Sequence, residues 1–393
     1  MSELARLLLL LSLAHLVVDA FASIIQPLWP DLKQQLGLAD GSIQWAYVFW
    51  SLATSLVQLP LAYWGDRYRG RWMIWAGPAL AVICLGSVGL VDSFVGLVVL
   101  LVLGGIGIAA FHPEAATLAG ACAPENRSRA MSLFALGGFL GQAAGPLYSG
   151  MLTDRFGLGS LIWSVAWGLP CLALVALGLS RLRPGPVAMA ADRVGFSRLV
   201  EGKGSAIGLL LATGALRVVP AMGVPLALAF VIKGRQGSNF DVGVAQSVFL
   251  AAIGAGGLAC AVVVRRANER LVLWLMPLAV VPLLAACPKA EGAVLLSCVG
   301  LIGLAVGVTT PVLVSYGQQL LADAQRVANS ITMGVTWAVG SAVVAATMAV
   351  ANHLGRPEAA FYAFAGCSFA AACVCTWLPH VGPRAVVVEV PAV

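Results

Sequence analysis

Five ionisable side chains interrupt stretches that are otherwise apolar: His15 and Asp19 in "LLSLAHLVVDAFAS", His112 and Glu114 in "GIGIAAFHPEAATLAG", and Arg217 in "LATGALRVVPAMGVP". Carboxyl and imidazole groups held away from bulk water are suited to taking up and releasing protons. Arginine keeps its charge and requires a partner, either one of these carboxylates or an anionic ligand. Ser12, His15, Asp19, Ser23 and Gln26 follow at steps of three, four, four and three residues, which places them on one stripe of a helix. Pro113 cannot donate to the carbonyl of Ala109 and crowds it, so a kink is expected there. His112 and Glu114 point about 200° apart, so only one can face squarely into a common space. Glu114 shares its face with the small Gly107 and Ala110 and is expected to point inward, with His112 bracing the kink or a neighbouring helix.

The elements that must position these groups are membrane helices. The chain of 393 residues is 60% hydrophobic and 10% charged, too few polar groups to cover a soluble surface. Twelve apolar runs, from roughly 7–29 to 359–379, are long enough to cross a bilayer. The first, with Arg6 ahead of it and Ala20-Phe21-Ala22 near its end, has traits of a cleavable signal but reads as an uncleaved span. A charge at the centre of such a helix costs about 2.5–3.5 kcal/mol on insertion scales. A polar stripe must then face protein or water. It is either a hydrogen-bonded seam or the wall of an aqueous cavity, and the charge on Asp19 favours the cavity wall.

Basic residues divide asymmetrically if both termini are cytoplasmic. The inner segments then hold Arg6, Arg67, Arg69, Arg71, Arg127, Arg129, the basic residues of 181–204, Arg265, Arg266, Arg270, Arg326 and Arg384. The outer loops hold Lys33, Arg155, Lys233, Arg235, Lys289 and Arg356. This is a positive-inside pattern, and the net charge of +6 is expected to serve topology and lipid headgroups, not nucleic acid. The nine cysteines lie within or beside apolar runs and read as packing residues; Cys373 and Cys375 point apart, and no metal site is expected. The glycines of "GGIGIAAF" sit inside a span with no flanking strand, the chain contains no GxxxxGK[ST], and no cofactor is expected.

The longest polar interruption, 181–204, follows six spans and precedes six more. Gly104, Arg127 and Gly141 map onto Gly303, Arg326 and Gly340 at one offset of 199 residues. The expected organisation is an N-terminal six-helix bundle (1–180), a cytoplasmic central loop (181–204) and a C-terminal six-helix bundle (205–393). The fold class is thus an all-α membrane protein of twelve transmembrane helices in two pseudo-symmetric halves, with a site between them near the midplane.

The loop "AYWGDRYRGR" resembles a cytoplasmic loop pattern of the major facilitator superfamily, departing from it in Ala62 and in one extra residue before Gly70. The stretch "FHPEAA", the pair His15 and Asp19, and the tract "SITMGVTWAVGS" are similar to the fosmidomycin-resistance type of exporter. The resemblance implies that spans one, four, seven and ten line a central cavity, so that Asp19, Glu114 and Arg217 would share it. From their chemistry, Asp19 and Glu114 are expected to exchange protons, with His15 and His112 as neighbours that tune or relay, and the resemblance implies a gating loop containing Asp66, Arg67 and Arg71. Arg217, Gln26, Thr213, Thr309, Tyr316 and Gln318 are the expected substrate contacts. Gly141, Gly145 and Pro146 in "GQAAGPLYSG" resemble an antiporter helix motif. The expected function is a transporter, not an enzyme. It would export a small polar or anionic compound by alternating access, in antiport with protons, as a monomer in the cytoplasmic (inner) membrane. Proton-coupled uptake of a small organic solute is the alternative.

Overall fold

The structure, a computed structural model, describes residues 3–39, 41–58, 60–61, 72–122, 127–180, 202–264, 268–321, 328 and 330–379. Asp66, Arg67 and Arg71 of the expected gating loop, and nearly all of 181–204, lie outside the described residues. In hydrocarbon every backbone N–H and C=O must be satisfied within the segment, which dictates helices. They are α1 (Glu3–Ser23), α2 (Ser42–Ser55), α3 (Met73–Gly86), α4 (Phe94–Ala121), α5 (Arg127–Phe156), α6 (Trp163–Ser180), α7 (Gly204–Gly234), α8 (Asn239–Val263), α9 (Glu269–Ala286), α10 (Gly292–Leu320), α11 (Thr336–His353) and α12 (Ala360–Cys375). A 3-10 turn (Gln26–Leu28) and a short helix (Trp29–Gln35) follow α1. Eleven helical segments are long and apolar enough to cross a membrane, and α2 stands where the remaining expected span begins. No strand occurs among the described residues. The chain is an integral membrane protein.

Lipid offers no hydrophobic drive for helices to associate, so small residues that permit close backbone approach decide which helices touch. On α5, a Cβ at Gly137, Gly141 or Gly145 would lie 2.3, 2.2 or 2.4 Å from the carbonyl oxygens of Ser12, Leu16 and Ala20 on α1. These glycines therefore lay α5 against the polar stripe of α1. In α11, a Cβ at Gly340 would meet the Ala215 carbonyl of α7 at 3.2 Å and Val218 at 2.3 Å. Gly141 on Leu16 and Gly340 on Ala215 are one contact displaced by 199 residues in both partners.

The two halves are tied where α5 ends and α8 begins. Gly150 and Gly243 bring the two helices together against the carbonyls of Asn239 and Pro146. A helix start leaves its first amides unpaired. Within α8, Ser238 and Asp241 cap each other. The next two amides, of Asn239 and Phe240, donate to the Asp154 carboxylate of the other half at 2.9 and 2.7 Å. Beside them Lys233 pairs with Asp31 at 2.9 Å, and Asn239 donates to Asp31 at 2.6 Å. The Gln246 side chain donates to the Gln26 carbonyl at 3.1 Å and to that of Pro225 at 2.7 Å. Losing a helix cap costs about 1 kcal/mol. Spin labels at the exposed Phe156 and Phe240 are therefore expected to move apart in the double variant Asp31→Ala, Asp154→Ala. An unchanged distance distribution would show that these carboxylates do not hold the end closed.

Candidate functional site

Asp19 is the hub of a cluster built by three helices. One turn of α1 puts His15 and Asp19 on the same face; α4 supplies His112 and α5 supplies Gln142. The carboxylate oxygen Oδ1 lies 3.1 Å from His112 Nε2. The other, Oδ2, accepts from Gln142 Nε2 at 2.9 Å and lies 3.3 Å from His15 Nε2. Asp19 is 3% exposed and His15 is 8% exposed, whereas the His112 side chain is 26% exposed and forms the more accessible side. His15 is stacked on Phe134 with ring centroids 4.2 Å apart, which fixes its plane. Gly138 makes room for both groups: a Cβ there would come within 2.5 Å of the His15 ring and 2.8 Å of Asp19 Oδ2.

Hydrogen-bond bookkeeping gives the cluster its chemistry. His15 Nδ1 donates to the Phe134 carbonyl at 2.9 Å, and His112 Nδ1 donates to the Ile108 carbonyl at 2.9 Å. A carbonyl only accepts, so both Nδ1 atoms carry protons. Any proton on either Nε2 is then an additional one, shared with the carboxylate that both nitrogens face. Two such protons make two imidazoliums around one carboxylate; one leaves a neutral cluster. The three groups thus share one set of hydrogen bonds, with both Nε2 atoms facing the same carboxylate. Their ligand atoms also lie within 4.8 Å of one another.

On α4 it is His112, expected to brace the kink or a neighbouring helix, that meets Asp19. Glu114 is half-buried and is not among Asp19's described partners. Pro113 is accommodated within the unbroken helix Phe94–Ala121. Gly107 does not open space for a ligand, because its Cβ position is taken by the Gly77 carbonyl at 2.4 Å.

Arg217 is 3% exposed on α7. Its Nη1 donates to Thr309 Oγ1 at 3.0 Å and to Thr310 Oγ1 at 2.9 Å on α10, and both hydroxyls donate onward to the Val306 carbonyl. Among the described residues Arg217 pairs with no carboxylate, so the expected pairing with Asp19 or Glu114 is not formed. The partners of Asp19 all come from α1, α4 and α5, and those of Arg217 from α10. The other expected substrate contacts are scattered. Thr213 is buried with no partner for its hydroxyl among the described residues. The carbonyl of Gln26 belongs to the seam between the halves. The Tyr316 hydroxyl donates to the Pro379 carbonyl beyond α12. Gln318 is half-buried on α10. Gly141 and Gly145 serve the contact of α5 with α1, and the Pro146 carbonyl abuts Gly243 of the second half. Gln142 was missed from sequence. The available signal was a long polar side chain one turn after Gly138, on a helix face otherwise made of glycine.

Residues 11–345 match the Major Facilitator Superfamily. The chain belongs to this superfamily. Among superfamily members with curated descriptions, it is 31% identical over 167 residues to the fosmidomycin resistance protein of Escherichia coli (strain K12). That match covers 42% of this chain and 41% of the relative. It is 29% identical over 178 residues to the multidrug resistance protein MdtG of Citrobacter koseri, covering 44% and 43%. The chain thus spans about two-fifths of the length of the curated relatives it matches. The superfamily fold extends over the whole chain. The inward-open xylose transporter XylE from E. coli superposes with a TM-score of 0.77 over 95% of this chain and 96% of that one, at 11% identity. An inward-facing bacterial homologue of the lysosomal transporter Spinster gives 0.70 over 96% and 95%, at 16% identity.

Overpacking a filled site typically costs about 1–3 kcal/mol. Gly138→Ala is therefore expected to lower the melting temperature of this superfamily member, because the new methyl has only the His15 ring and Asp19 to displace. The control Gly208→Ala, with open space around its Cβ position, is expected to leave it unchanged.

Proposed function

We propose that this chain is a proton-driven exporter of a small polar or anionic compound, and that the cluster of His15, Asp19, His112 and Gln142 is where it carries the proton. The reading rests on one observation: two imidazoles with committed Nδ1 protons share a buried carboxylate, so the proton count of the cluster can change without breaking its other bonds. The names of the relatives, which refer to resistance and not to uptake, support the outward direction.

In the proposed cycle the halves 1–180 and 205–393 rock about the α5–α8 seam, both termini are cytoplasmic, and a monomer suffices. His112, the more exposed imidazole, passes protons to and from the vestibule, and Glu114 is the next acceptor along α4. Arg217 gives the second half a positive field that favours anions, and Thr309 holds its guanidinium in place. Asp66, Arg67 and Arg71 keep their proposed part as the cytoplasmic gate.

Each proton moved down a potential of about 100 mV contributes about 2.3 kcal/mol, roughly fifty-fold in the gradient that one coupled proton sustains. In inverted vesicles with a pH-sensitive dye, adding a substrate of the wild-type protein is expected to dissipate an imposed proton gradient. Asp19→Asn is expected to lower steady-state accumulation by about that fifty-fold while the protein still inserts and melts cooperatively. Undiminished coupled transport in Asp19→Asn would remove the cluster from the mechanism. Proton and substrate moving in the same direction would make the chain a symporter.

A further inference from the structure

We infer that the pocket beside Arg217 is a binding site for a chloride-sized monovalent anion. Arg217 is almost fully buried, yet only Nη1 of its guanidinium is engaged. Its Nε has no partner among the described residues, and no bond of Nη2 is formed with them. The free nitrogens, Nε and Nη2, make up one edge of the planar fork, the edge that grips an anion with two parallel N–H bonds. A permanent cation withdrawn from water calls for a negative charge at contact distance. The described residues provide none: Thr309 and Thr310 are neutral, and their own protons are committed to the Val306 carbonyl.

The surroundings select the anion. Arg217 lines a cavity of about 10 Å³ whose other walls include Pro220, Met276, Val280, Thr309 and Ser368. That space holds one water-sized particle. The space is smaller than a drug-sized organic anion, and a divalent oxyanion would leave a negative charge unmatched against mostly apolar walls. A halide satisfies size and charge together, and chloride is the common one. The cavity lies among α7, α9, α10 and α12, all in the second half, so the inference stands or falls independently of proton coupling at Asp19.

The test is the melting of purified protein in sodium chloride and, at equal ionic strength, in sodium gluconate, whose anion is too large for the cavity. The eleven tryptophans supply the signal. The melting midpoint is expected to rise saturably with chloride and with bromide but not with gluconate. Arg217→Gln should lose the saturable rise. Thr310→Val, which leaves the guanidinium with one hydroxyl fewer to hold it, should raise the half-saturating chloride concentration roughly two- to tenfold. If Arg217→Gln fails to fold, bromide in wild-type crystals is expected to give an anomalous peak beside Arg217 Nε. Identical wild-type melting in chloride and gluconate, an unaltered chloride response in Arg217→Gln, or bromide peaks only elsewhere would overturn the inference. A response to a transported organic anion without one to halide would assign the edge to substrate instead.

Discussion

A charge withdrawn from water must find its counterpart inside the protein, and that requirement governs this molecule. In lipid no solvent steps in when a partner is missing. Asp19 meets the requirement with two imidazoles and an amide contributed by three helices. Arg217 meets it only in part, with two hydroxyls of α10. Among the described residues, one half of the chain thus encloses a charge with a full set of partners, and the other encloses a permanent charge with an edge left over.

The complete set exists because α5 can lie directly on α1. Successive glycines remove the side chains that would hold the two backbones apart, and Gly138 removes the one that would occupy the place of the His15 ring. Packing and chemistry are therefore one design here. The residues that resemble an antiporter motif in sequence are, in the structure, the means by which Gln142 reaches Asp19. The duplicated contact of Gly340 with Ala215 follows the same backbone logic in the second half, between residues without an ionisable side chain.

The seam between the halves obeys a related rule at the membrane edge. The unpaired amides that begin α8 are finished by a carboxylate from the opposite half, so the helix start is fully satisfied only while the two bundles are in contact. A movement of one bundle against the other must hand those amides to water. The fold can accommodate this because the seam lies at a helix end, where water is within reach, and not in the hydrocarbon.

The sequence alone determined the membrane class, the helical architecture and which ionisable residues lie within the spans. Apolar run length, the spacing of His15 and Asp19 and the offset of 199 between repeats are properties of the chain read in one dimension. Only the tertiary structure decided which side chain on α4 meets Asp19, because His112 and Glu114 are two residues apart and spacing cannot say which helix face meets α1. The presence of Gln142 in the cluster was likewise invisible, since it depends on the register in which glycines let α5 slide onto α1. The grouping of Arg217 with Asp19 and Glu114 in one space came from the family resemblance, because spacing along the chain cannot show it. The fold turns its guanidinium toward α10, where the nearest acceptors lie, because a buried cation settles on the hydrogen bonds its own bundle can provide.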